Sequence, residues 1–413
     1  MDFLSTIQNR LLIFDGAFGT VLMERGLKPG ENPTVLNMTM PEVVTDIHKN
    51  YLESGAQVVT LNTFSNSRYK IEGLPYSLDD MAHAAFECAI KAVEAAGKSA
   101  FLIYDIGPCG KLLEPMGEVT FEEAYDLYKE QAVVAEKYGA DAILIETQSD
   151  LFEMKAGLLA AKENTSLPVI CSITLEANGR TYTGGCLESI AATLERLGAD
   201  AIGLNCSVGP KDLLPYAKQL LQLTSLPVIV QPNAGLPQER DGVTVFDTTP
   251  DEFADIMAEL AKAGANILGG CCGTNYEYIR KLTKAVEGIT PVKRTVEPVA
   301  CACTPSVFVA VTADTEKVDL ITPQNAEEIA GYIQSQDFDS LMDIALDKAY
   351  EGDAEYMMLD LTLLPGLSPD EAAAAIRFLQ TTVRLPLGIA AHSEDAAKQA
   401  ARFYNGTPYI IIK

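Results

Sequence analysis

The stretch Gly139-Ala140-Asp141-Ala142-Ile143-Leu144-Ile145-Glu146-Thr147 decides the reading of the fold. Its glycine closes an amphipathic helical pattern over 120–138, as suits the left-handed residue that ends a helix. A short apolar run follows, β-rich and without alternation, and it stops on a carboxylate. Such a run is expected of a parallel strand covered on both faces. The same Gly-Ala pair stands before apolar runs at Gly55-Ala56, Gly198-Ala199 and Gly264-Ala265.

Working outward, runs of this kind occur at 11–15, 57–61, 101–106, 142–146, 169–174, 201–205, 228–231 and 266–269, with helical patterns at 41–54, 77–96, 120–138, 189–197 and 250–263. Eight strand–helix units predict an α/β chain whose first domain, 1–290, is a (β/α)8 TIM barrel. An open doubly wound sheet is the alternative, but Asp15-Gly16-Ala17-Phe18-Gly19-Thr20 is not the dinucleotide turn G-x-G-x-x-G. Residues 291–305 read as a linker. A smaller α/β half-barrel of about four βα units is expected over 306–413, with strands at 306–312, 355–361, 387–391 and 409–412. Four strands cannot close a barrel. Docking on the first domain, on a partner, or on a second copy as a homo-oligomer is therefore expected.

The chain has 413 residues, 48% of them apolar, and a net charge of −26. That charge argues against nucleic acid and anionic membrane surfaces as partners. There is no apolar stretch of membrane-spanning length and no basic leader segment at the N-terminus. Nine cysteines without disulfide-dense spacing point to a reducing compartment. A cytoplasmic protein is expected.

In a (β/α)8 barrel the site lies at the C-terminal strand ends. There the sequence places Asp15, Asn62-Thr63, Asp105 with Gly107, Glu146-Thr147, Glu176, Asn205-Cys206, Gln231 with Asn233, and Cys271-Cys272. Adjacent cysteines bond each other only with strain, but both can face one soft ion. Cys206, Cys271 and Cys272 would give Zn²⁺ three thiolates and leave a tetrahedral position open. Such an ion activates an incoming thiol, which favours S-alkylation over hydrolysis. The turn Gly16–Thr20, including Ala17, Phe18 and Gly19, offers backbone N–H groups to a carboxylate. Glu146 offers itself to an ammonium; a turn glycine and a capped buried Glu are the plain alternatives. The remaining cysteines read as packing, and His48, His83 and His392 miss the strand ends, so no Ser-His-Asp set forms.

Taken in order, Asp15–Thr20, Asn62-Thr63-Phe64, Asp105-Ile106-Gly107-Pro108, Glu146-Thr147, Gly203-Leu204-Asn205-Cys206-Ser207, Pro232-Asn233-Ala234-Gly235 and Gly269-Gly270-Cys271-Cys272-Gly273-Thr274 resemble the zinc-dependent homocysteine S-methyltransferases. The nearest likeness is to the N-terminal homocysteine domain of cobalamin-dependent methionine synthase, over about residues 8–290. The resemblance implies zinc on Cys206, Cys271 and Cys272, with Asn233 as a fourth ligand before substrate arrives. It implies homocysteine anchors at Asp15, Glu146 and the turn at Ala17-Phe18; Gly19, Thr20, Asn62, Thr63 and Asn205, at the same rim, are expected to bind substrate with them.

Residues 306–413 resemble the first half of that enzyme's pterin barrel. Val311-Thr312-Ala313-Asp314 replaces the GER-x-N opening, and Asp360-Leu361-Thr362 stands where Asp-x-Asn is expected. Folate binding is not expected. The activity implied is methyl transfer to homocysteine, giving methionine, from methylcobalamin on a separate corrinoid protein. S-methylmethionine, S-adenosylmethionine or a betaine are alternative donors, and another thiol is an alternative acceptor. A zinc-bearing assembly subunit is the rival from outside enzymology.

Overall fold

The structure is a computed structural model and describes residues 2–28, 30–240, 243–350, 352–364 and 366–413, side chains included except at 237–245. The chain divides into two compact units, Met1–Thr183 with Leu197–Val296, and Gly184–Arg196 with Glu297–Lys413.

The first unit carries β1 (Leu12–Ile13), β2 (Val58–Thr60), β3 (Phe101–Ile106), β4 (Ala142–Gln148), β5 (Val169–Ile173), β6 (Ala201–Cys206) and β7 (Val228–Pro232). A hairpin of β8 (Pro237–Arg240) and β9 (Val243–Phe246) precedes β10 (Ile267–Leu268). Eight of these strands form one parallel sheet in the order β1-β10-β7-β6-β5-β4-β3-β2. Its ends meet through Gln57. The Gln57 N–H donates to the Ile13 carbonyl at 2.8 Å, and its side-chain oxygen accepts from the Ile13 N–H at 3.0 Å. The expected (β/α)8 barrel is therefore observed. Gly55, Gly139, Gly198 and Gly264 all take positive φ, between 84° and 114°, as their place at helix ends requires.

Period-two alternation sorts the strand residues. Leu12, Val58, Ile103, Ala142, Leu144, Ile170, Ala201, Ile229 and Ile267 share one buried cluster. The N-terminal helix Phe3–Asn9 adds Phe3 and Ile7 to the same cluster. This helix lies outside the sequence expectation because its seven residues are too few to show a helical period.

In the second unit, β11 (Cys301–Cys303) and β12 (Phe308–Ala310) form an antiparallel hairpin. β13 (Lys317–Asp319), β14 (Tyr356–Asp360), β15 (Leu387–Ala391) and β16 (Tyr409–Ile412) form a parallel sheet in chain order. Two expectations change. The run at 306–312 is a hairpin arm, not the first parallel strand. That strand is Lys-Val-Asp at the sheet's edge, too short and too polar to read as an apolar run. Cys301–Cys303, expected in a linker, is a buried strand. Ala302 packs with Tyr356, Met358 and Ala390, so the hairpin covers one sheet face. Helices, Ala326–Ser335 and Pro369–Thr382 among them, cover the other. Among the described residues no helix is long and apolar enough to cross a membrane.

Candidate metal and substrate site

The inward rows of β2, β3, β4 and β5 continue past the apolar cluster. Two residues beyond Val58, Ile103, Leu144 and Ile170 come Thr60, Asp105, Glu146 and Ser172. The barrel therefore changes from an apolar layer to a polar one toward the strand ends.

Cys206 ends β6 in the left-handed region (φ 59°), and Ser207 follows at φ 66°. Two such residues in succession, neither of them glycine, turn the chain sharply at a cost of a few kcal/mol. Cys271 and Cys272 come from the turn after β10. Its Cys271 N–H donates to the Pro232 carbonyl at 2.9 Å, and the Thr274 hydroxyl donates back to the Cys271 carbonyl at 2.7 Å. Added carbon at Gly270 would stand 2.3 Å from Thr274, so the turn needs glycine there. The outcome is that the three sulfurs lie within 4.8 Å of one another. A tetrahedron with Zn–S bonds of about 2.3 Å has edges of about 3.8 Å, so the spacing suits one ion. Among the described residues this is the one such metal-competent group.

The three thiols hydrogen-bond to one another. Hydrogen bonds from Cys271, Cys272 and Asn233 pull the Cys206 thiol down to about 3. Hydrogen bonding to Cys206 pushes Cys272 up to about 12 and Cys271 well above its ordinary value. Asn233 donates to the Ser207 carbonyl at 3.2 Å, while its side-chain oxygen is buried without a partner. The Asn233 side chain also hydrogen-bonds Cys206, and an orphaned oxygen on it is a good acceptor for a cation. These residues fit a zinc ion.

The expected substrate anchors separate into two groups. The Asp15 carboxylate accepts from the Thr60 hydroxyl at 2.7 Å and the Thr60 N–H at 2.9 Å, tying β1 to β2. Burial still pushes it up to about 7. Asn62 donates to Pro33 and Asn37, and Thr63 clamps the backbone of Asp105 at 2.8 and 3.0 Å. Asn62 and Thr63 thus hold the scaffold rather than offer a free hand. The Ala17 N–H is held by Thr274 at 3.1 Å and its carbonyl by Tyr51 at 2.7 Å. Phe18 lies against the buried His48, ring centroids 4.8 Å apart. The N–H groups of Gly19 and Thr20 fall in the first helical turn of Gly19–Glu24, where no intrahelical acceptor exists.

Asn205 is fully buried. It donates to Glu146 at 3.3 Å and to the Thr147 hydroxyl at 2.8 Å, and it accepts from the Thr147 N–H and the Ser172 hydroxyl. It is a strut across β4, β5 and β6, holding Thr147 in the left-handed region (φ 58°). Burial, then the Cys206 and Asp15 charges, pushes Glu146 up to about 8.

A sequence model of the homocysteine S-methyltransferase family matches residues 12–286. The chain belongs to this family. With it the chain belongs to the methyltransferases. Methionine synthase of Mycobacterium tuberculosis is 30% identical over 373 residues, covering 85% of this chain and 31% of the relative. Methionine synthase of Mycobacterium leprae is 33% identical over 304 residues, covering 69% and 25%. The chain thus spans between a quarter and a third of the length of these relatives. The metallated form of the homocysteine methyltransferase MmuM from Escherichia coli superposes with a TM-score of 0.57 at 22% identity, covering 66% of this chain and 96% of that one. Its likeness supports the barrel fold.

Against this family background, three residues of the site lie outside the expected anchors. Tyr51 and Thr274 brace the Ala17 turn, and Asp105 joins the carboxylates. Asp105 is legible in the sequence: it lies two residues beyond Ile103 on the inward row. Tyr51 sits on a helix and gives no signal.

Proposed function

We propose that this chain transfers a methyl group to the sulfur of homocysteine, giving methionine, with zinc held by Cys206, Cys271 and Cys272 and, before substrate arrives, by the Asn233 oxygen. The observation that carries the reading is the meeting of three thiols from two loops within 4.8 Å. Zinc bound there lowers the pKa of a fourth thiol, so that it is a nucleophile near neutral pH.

The chain's own residues position the substrate. The Gly19 and Thr20 N–H groups face its carboxylate, and Glu146, steadied by Asn205, faces its ammonium. The homocysteine sulfur gives up its proton to solvent and forms a bond to the methyl carbon, while the donor leaves with its bonding pair. The donor we assign is methylcobalamin on a separate corrinoid protein. Support comes from the likeness to methionine synthase, which extends over 85% of the chain and so beyond the barrel.

The test supplies zinc-loaded protein and homocysteine with methylcobalamin, S-methylmethionine, S-adenosylmethionine or glycine betaine, and measures methionine. Methionine from methylcobalamin is expected. Product from a sulfonium or betaine alone would overturn the donor, and no product from any donor would overturn the function.

A further inference from the structure

At the end of the barrel opposite the cysteines lies an open groove of about 820 Å³, lined by Leu11 and Gln57, the residues just before β1 and β2. Leu11, Ile13, Val286 and Ile289 give it an apolar floor. Three cations line it as well. Arg10 follows the N-terminal helix, and Arg280 and Lys284 lie on the helix Tyr276–Ala285.

The chain carries 57 acidic residues against 31 basic ones, so a lysine or arginine has carboxylates to choose from. Lys281, next to Arg280, takes Asp251 at 2.7 Å. Among the described residues, Arg10, Arg280 and Lys284 form no ion pair. The Arg280 guanidinium instead donates to a neutral group, the Ser54 hydroxyl, at 3.3 Å. Of the two carboxylates in the lining, Glu53 is engaged by Lys49 at 3.5 Å, which leaves Glu287 against three positive charges. Arg280 and Lys284 stand four residues apart on one helix, where like charges repel. The carbonyls of the nearby helix end do not occupy them: Lys98 donates to the Leu52 carbonyl, in the last turn of the helix Pro41–Glu53, at 2.6 Å. Gln57 adds a donor. Its side-chain oxygen accepts from the Ile13 N–H at 3.0 Å, which leaves its amide nitrogen for another partner.

We propose that this groove binds a phosphate monoester, with its phosphoryl oxygens taken by Arg10, Arg280 and Lys284 and its organic body laid on the apolar floor. Three cations balanced by Glu287 leave about two positive charges, matching the roughly −1.5 to −2 of a phosphate monoester near neutral pH better than a carboxylate does. Guanidinium forks pair with phosphate oxygens two at a time, and a dianion relieves the repulsion between Arg280 and Lys284. The volume falls in the usual range of small-molecule sites, about 300–1,000 Å³.

Calorimetric titration of the zinc-loaded full chain tests the site. The esters are adenosine 5′-monophosphate and phenyl phosphate; adenosine and inorganic phosphate serve as the separate halves of a ligand. At least one ester should saturate with a Kd below ~1 mM at low salt, and its affinity should fall as salt rises. Adenosine should not bind, and inorganic phosphate should bind at least ~10-fold more weakly than that ester. R280Q and K284Q change exposed side chains, so circular dichroism should be unaltered, and each should weaken the ester at least ~10-fold, the range for a hydrogen bond to a charged group. Homocysteine should not displace it, because the cysteine trio lies at the other end of the barrel. The site is overturned if neither ester saturates below ~1 mM, if inorganic phosphate binds as tightly as the ester, if both variants bind like wild type, or if homocysteine displaces the ester. A failure of methyl transfer leaves the groove untouched.

Discussion

Asn205 donates its side-chain amide to the Glu146 carboxylate at 3.3 Å, and its own main chain continues directly into Cys206. One buried amide therefore couples the carboxylate proposed for the substrate's ammonium to the strand end that presents a metal-competent sulfur. Its neighbours Thr147 and Cys206 are both held in the left-handed region, near 58° and 59°. Strain of this kind persists only where the surroundings enforce it.

Removing the strut should cost function more than metal. N205A leaves Thr147 and Ser172 without their partner and frees Glu146 to turn away. A loss of roughly 1–3 kcal/mol in stability is expected from the unsatisfied groups. The homocysteine KM should rise several-fold while zinc content holds. Urea unfolding, steady-state kinetics and metal analysis on one preparation check all three.

The cysteines should behave as a unit. C271A removes a ligand from the centre of the cluster, and both zinc and methyl transfer should be lost together, activity by at least ~100-fold. The variant should still fold, because the barrel interior lies a layer below. Metal analysis with circular dichroism tests this; zinc retained at one ion per chain would contradict the ligand set.

Zinc uptake should release protons. Cys206 is held low, at about 3, whereas Cys272 sits at about 12 and Cys271 is pushed well above its ordinary value by its hydrogen bond to Cys206. Binding at neutral pH must displace the protons on those two thiols, about two per ion. Calorimetry in buffers of different ionisation enthalpy measures that number, and affinity should rise with pH.

The buried carboxylates set a stability slope. Glu146 is raised to about 8 and Asp15 to about 7, so the folded state holds protons that the unfolded chain has released. Their contribution is complete below the ordinary carboxylate range, about 4, and is lost as pH rises through about 7 to 8. Metal-free wild-type protein should therefore lose stability across that window, and E146Q should lose less. Denaturant melts at pH 5, 7 and 8.5 would show it; equal slopes would contradict the burial of Glu146.

Much of the barrel and its rim is legible in the amino-acid sequence. Parallel strands buried on both faces leave apolar runs, and helix-ending glycines mark where four of them begin, at Gly55, Gly139, Gly198 and Gly264. The cysteine trio is legible because Cys271-Cys272 are adjacent and strand-terminal. The roles of Asn62, Thr63 and Asp15 are not. Which polar side chain bonds the scaffold and which stays open depends on partners far away in sequence, such as Pro33 for Asn62 and Thr60 for Asp15. The second unit's first parallel strand is hidden for another reason. Lys317–Asp319 is an edge of three residues, and the longer run at 306–312 draws the reading to a hairpin instead.

In the proposed reaction three sulfurs of the chain hold one zinc ion and the substrate's sulfur joins them. X-ray absorption at the zinc edge, before and after homocysteine, tests it most directly. The expected result is three sulfur neighbours near 2.3 Å with one lighter ligand, changing to four sulfurs when homocysteine is added. Fewer than three sulfurs at the start, or a shell that homocysteine leaves unchanged, would contradict it.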